Sequence, residues 1–161
     1  MDDRADQSRK PGVFALLAAL GIVSLAFQLD SHRSFHLWDE GFLWYGAQRV
    51  MQGEVPIRDF MAYDPGRYYW SAALMMLKGG DRLINLRIAI AVFQTLGLFI
   101  GLRSIVISST ARLREVVALL GLTGATLILW MTPDYRVFDM SVSCILIGTL
   151  TAFVRSPMPN R

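Results

Sequence analysis

Long apolar runs constrain this chain more than any other feature of its sequence. Residues 13–29, 86–107, 116–131 and 137–154 carry few charges, and each is long enough, or nearly so, to cross a ~30 Å hydrocarbon layer as a helix. They lack the alternating or one-faced pattern of segments that cover a soluble core. Hydrophobic residues make up 53% of the chain, with four Trp, nine Phe and eight Met, a composition unusual in a soluble domain of this length. The expectation is an all-α membrane protein with about four transmembrane helices and no division into soluble domains. A basic head, Arg4, Arg9 and Lys10, precedes the first run through Pro11 and Gly12. No small-x-small site follows at Phe27-Gln28-Leu29-Asp30, so the first run reads as an uncleaved span rather than a signal peptide.

Charge sets the orientation. With the N-terminus in the cytoplasm, the inner side carries Arg4, Arg9 and Lys10, then Arg103, Arg112 and Arg114, then Arg155 and Arg161, as the positive-inside rule requires. Residues 30–85 then form a long first outer loop, and Asp134, between the third and fourth spans, shares its side of the membrane. Arg87 and Arg103, near the ends of the second span, are placed to reach headgroups. No run of basic residues is present to follow a phosphate backbone, so nucleic acid is not an expected partner. The single cysteine, Cys144, leaves no internal disulfide or thiolate cluster to form.

The outer loop contains its own helical signals. Residues 39–52 read as a short helix offering Phe42, Leu43, Tyr45, Val50 and Met51 as apolar surface, with Gly53 as its stop. Trp38, Trp44 and Tyr45 suit that helix to the interface. Pro56 keeps the next segment extended, and Asp64-Pro65-Gly66 signals a turn. A second helix is expected over 67–77, broken by Lys78-Gly79-Gly80, after which Asp81 is available to cap the second span.

Chemistry is expected in this loop. An Asp-Glu pair, Asp39-Glu40, stands just outside the first span, with Asp59, Asp64 and Asp134 on the same side. A carboxylate held partly desolvated at a lipid interface acquires a raised pKa and suits a general base. Asp139 falls about one turn inside the fourth span, where an unpaired carboxylate costs roughly 3 kcal/mol, so a partner such as Arg136 or a loop arginine is expected. Arg49, Arg58 and Arg67 offer guanidinium forks for phosphate oxygens, against a second reading as headgroup contacts. Tyr63, Tyr68, Tyr69 and Trp70 suit either a sugar ring or an aromatic belt. His32 and His36 with Asp39 have the spacing of a helical metal face, but such spacing is common by chance; no metal or other cofactor is expected, a divalent ion being the less favoured reading. No Gly-rich phosphate loop or zinc-protease signature is present.

Several of these residues form a recognisable pattern. A first span followed by Trp38-Asp39-Glu40-Gly41, Ala47-Gln48-Arg49, Gly53-Glu54-Val55-Pro56-Ile57-Arg58-Asp59-Phe60 and Asp64-Pro65-Gly66-Arg67-Tyr68-Tyr69 resembles the GT-C glycosyltransferases, in particular the bacterial branch related to protein mannosyltransferases and aminoarabinose transferases. The resemblance runs from about residue 13 to residue 154. It implies a multi-pass enzyme of the bacterial inner membrane that takes a sugar from a polyprenyl-phosphate carrier and passes it to a glycan, lipid or protein acceptor on the outer face. It further implies that Asp39 and Glu40 are the catalytic acids, with Asp134, or secondly Asp139, as the acid of the second outer loop. Asp39 would deprotonate or orient the acceptor, inversion would follow at the anomeric carbon, and arginines would hold the departing phosphate. Arg58, Arg67, Asp64, Tyr68 and Asp139 are the matching substrate-binding positions. Members of that family have many more spans, so the chain is expected to be the N-terminal portion of a larger module. Two alternatives stand beside this reading. One is a small non-enzymatic subunit packing through Gly97 and Gly101 against a larger membrane chain. The other is a transporter component, for which only Gln94, Thr95 and Asp139 offer polar groups within the spans.

Overall fold

The computed structural model describes residues 3–30, 35, 37–108, 121 and 136–155, with backbone alone at 3–11, 29–30, 105–108, 136–140 and 151–155. Among the described residues the protein is all-helical: α1 (Asp3–Asp30), α2 (Asp39–Met51), α3 (Pro65–Leu77), α4 (Leu83–Ser108) and α5 (Arg136–Arg155). The helix begun at the first apolar run starts earlier than expected, continuing back through Pro11 and Gly12 to Asp3. One helical segment among the described residues, Leu83–Ser104, is long and apolar enough to cross a membrane; the apolar parts of α1 and α5, Gly12–Gln28 and Ser141–Leu150, are shorter. The third apolar run, 116–131, lies outside the described residues except for Gly121.

The long helix α4 organises the rest. On one side α1 runs antiparallel to it: Ala15 and Ala19, both fully buried, pack with Leu98, Phe99 and Leu102, while Val23 and Phe27 lie opposite Ile88 and Val92. Small residues four apart let the two backbones approach closely. On another side α5 runs parallel to α4, with Ser141 against Gly97, Cys144 against Gly101 and Gly148 against Ile100 and Ser104. A Cβ on Gly97 would lie 2.7 Å from the Ser141 Cα, and Ser104 Oγ donates to the Gly148 carbonyl at 3.1 Å. The Gly97/Gly101 face, expected in the subunit reading to meet a larger partner, is therefore taken by α5 of the same chain. The small-residue spacing had the right consequence and the wrong neighbour, because i, i+4 glycines specify close approach and not which helix approaches.

Residues 37–82, read from sequence as the outer loop, fold as a second layer on the first turns of α4. Leu43, Ala47, Tyr68, Ala72, Met75, Leu86 and Ile90 form one buried cluster from α2, α3 and α4. Both short helices are present; α3 opens two residues before its expected start, taking Pro65 and Gly66, read as part of a turn, into its first turn. Gly53 at φ +90° ends α2, and Gly79 and Gly80 at +85° and +130° end α3, conformations that a Cβ disfavours. Between them a tight turn is tied by Val55 N donating to Asp59 Oδ2 and Ile57 N to the Phe60 carbonyl, at 2.8 and 3.0 Å. Asp81, expected to cap the second span, instead accepts at its carboxylate from Gln48 Nε2 and at its carbonyl from Trp44 Nε1, clamping α2 to the start of α4.

Candidate functional site

Helices α2 and α3 begin at the same place. The residues before their first turns, Trp38 and Asp64, make no side-chain capping hydrogen bond among the described residues; in α3, Pro65 has no N–H and the Arg67 amide donates to the Asp64 carbonyl at 3.2 Å. Between these two N-termini is a pocket of about 620 Å³, lined by Asp39, Asp64 and Arg67 together with Trp38, Phe42 and Tyr63, over a floor of Leu43 and Tyr68. The sequence gives it this position twice over. Asp39 falls in the first turn of α2, where a carboxylate is favoured by the helix dipole, and Pro65 opens α3 with its dihedral already helical.

Charge is unevenly distributed around that pocket. The Arg67 side chain is only 6% exposed and pairs with the Asp64 carboxylate, which is itself 72% exposed. A guanidinium is thus fixed in the wall by packing, its acid partner largely exposed. Glu40 turns away from the pocket. Its carboxylate takes both prongs of Arg87, Nε to Oε1 at 2.6 Å and Nη2 to Oε2 at 2.9 Å, with the two side chains 11% and 15% exposed. A bidentate pair between residues 47 positions apart ties the first turn of α2 to α4. Arg87, read from sequence as reaching the headgroups, is instead an internal ligand of Glu40, and so fixes the helix that carries Asp39.

Of the residues expected to form the site, Asp39, Asp64, Arg67 and Tyr68 come together and Arg58 does not. Arg58 lies in the tight turn and pairs bidentately with its neighbour Asp59 at 2.9 and 2.8 Å. That hydrogen bond, with a further one from the Val55 amide, holds the Asp59 carboxyl at about 2. Tyr68 is 1% exposed: it shapes the pocket from below and presents no ring face for stacking. Its ring meets Phe42 and Phe60 edge-on at 6.2 and 5.7 Å and lies against Gly46, and burial pushes its phenol above the usual range. Arg49 is likewise occupied outside the pocket, by Glu54 and Tyr45. Asp134, His32 and His36 lie outside the described residues, as does the Asp139 side chain. The Gly97–Ser141 contact places the Asp139 backbone level with Thr95, about half-way along the Leu83–Ser104 segment.

Comparison of the chain with protein-family models, curated proteins and solved structures finds no match. The functional reading therefore stands on the motif residues and on the pocket they line. The residue that sequence reasoning missed is Arg87. Its partner Glu40 lies 47 positions away, and no local pattern in the sequence joins the two.

Proposed function

We propose that this chain is a membrane glycosyltransferase, or the acid-bearing part of one, that moves a sugar from a polyprenyl-phosphate carrier to an acceptor on the outer face of the bacterial inner membrane. The observation that carries the reading is the placement of Asp39 and the buried Arg67 in one pocket between two helix N-termini. Each half of the reaction has a group there. Asp39 takes the proton of the acceptor hydroxyl or amine as that atom attacks the anomeric carbon. The carbon–oxygen bond to the carrier breaks on the opposite face, inverting the centre, and the phosphate leaves with the electron pair. Arg67 holds the phosphate, since a guanidinium fork matches an oxyanion and the two helix N-termini that flank it favour negative charge. Glu40, engaged by Arg87, holds α2 in place and does not meet the acceptor.

The four-span topology, with the N-terminus in the cytoplasm, belongs to the same reading. It is supported by the parallel course of α4 and α5 and by the length and apolar character of the run 116–131 between them in the sequence. Gly121 within that run lies beside Leu102, near the inner end of α4.

The test is Asp39→Asn in membranes supplied with radiolabelled polyprenyl-phosphate sugars. Transfer falls by about 10²–10⁴, the usual worth of a general base, while carrier binding persists. Undiminished transfer by this variant at equal expression would sink the assignment.

A further inference from the structure

We infer that α3 is immersed in the outer leaflet, with its free face covered by lipid acyl chains; this rests on the membrane reading above. The helix packs along α4 inside the segment that is long enough to span, not beyond it. Trp70 Nε1 donates to the Ala89 carbonyl at 2.8 Å, and its ring meets that of Phe93 edge-on at 5.1 Å. Ala89 follows Leu83 by six residues, which puts this contact about 9 Å below the start of the segment, in the outer third of a ~30 Å hydrocarbon layer.

The composition of the free face agrees. Every exposed position of α3, namely Pro65, Gly66, Tyr69, Ala73, Met76 and Leu77, is uncharged, and Tyr69, Met76 and Leu77 leave large apolar surfaces uncovered. A helix laid on a soluble protein carries charges on that side. Here the charged residue within α3, Arg67, is buried and paired with Asp64, whose carboxylate is 72% exposed at the inward end, while Lys78, Asp81 and Arg82 collect at the outward end of the helix, where headgroups and water begin. On α4, Val92 and Leu96 also leave apolar surface exposed. Immersion gives the Asp39/Arg67 pocket, which sits at the inward end of α3, an opening within the leaflet. A lipid-borne ligand reaches it sideways from the bilayer and not from the aqueous phase.

Single cysteines at Tyr69 and Met76, in a Cys144→Ser chain, are labelled with an environment-sensitive fluorophore and placed in phosphatidylcholine nanodiscs. Leu96→Cys serves as the in-membrane control and Lys78→Cys as the outward one. The expected result is a loss of fluorescence to doxyl-labelled lipid at positions 69 and 76 approaching that at position 96, with little loss to aqueous iodide. Iodide quenching like that at position 78 would mean that water covers the face and would overturn the inference. So would resistance to both quenchers, which would place a second protein surface there. Should position 96 itself be quenched by iodide, the membrane reading fails and the inference falls with it; lipid quenching at 96 alone refutes only the immersion of α3.

Discussion

The pair of adjacent acids at the start of α2 is divided by the structure into two jobs. Asp39 lines the pocket, and Glu40 is spent on Arg87. Because both members of that pair are largely buried, removing one leaves a charge without compensation. Arg87→Ala or Glu40→Ala is expected to cost about 3 kcal/mol, whereas the double substitution costs less than the two singles together. Thermal unfolding of the four proteins in detergent measures this, and additive losses would show that the two groups do not act as a pair. At the floor of the pocket, Gly46→Ala drives a methyl into the Tyr68 ring and is expected to lower stability by about 1–3 kcal/mol, with partial recovery on adding Tyr68→Leu. Asp59 gives a pH-dependent counterpart. Its folded value of about 2 lies below the ordinary 3.8, so its contribution is complete above about pH 4 and is lost as the pH falls towards 2. Asp59→Asn is expected to flatten that limb of the unfolding profile, and an unchanged limb would assign it to another carboxylate.

At the scale of elements, most of the helices were legible and most of their neighbours were not. The stops at Gly53 and Gly79-Gly80 could be read because they are local: a residue at positive φ after an apolar stretch ends a helix whatever lies beyond. The site was legible to the same degree. Asp39, Asp64 and Arg67 converge because each sits at the start of a readable helix, while Arg58 was misplaced because its partner, Asp59, is its immediate neighbour and local geometry won. Arg87 and the Trp44–Asp81 link were hidden, since they join positions 47 and 37 residues apart and no periodicity encodes such a meeting. The parallel α4–α5 seam shows the same limit, with its glycines evident and its partner not. Gly97→Leu is expected to push α5 from α4 and lower the unfolding midpoint in detergent, an effect the conservative Gly97→Ala shares in part. An unchanged midpoint in Gly97→Leu would mean that this seam is not closed.

For the whole molecule, the described residues assemble a frame of long helices, one of them long and apolar enough to cross a membrane, and, against the start of α4, a small layer that holds two acids and one buried arginine at a common pocket. The frame positions the pocket through α4, and the layer sets its chemistry through two helix N-termini. The account depends on that pocket recognising a lipid-linked phosphate, and the binding of polyprenyl phosphate to the purified chain in nanodiscs tests it most directly. Arg67→Gln removes a charge-assisted contact worth about 1.5–3 kcal/mol and is predicted to weaken binding by roughly tenfold or more, while Arg58→Gln, outside the pocket, leaves it unchanged. Equal affinity in the parent chain and Arg67→Gln, or no binding by the parent chain at all, would contradict the account.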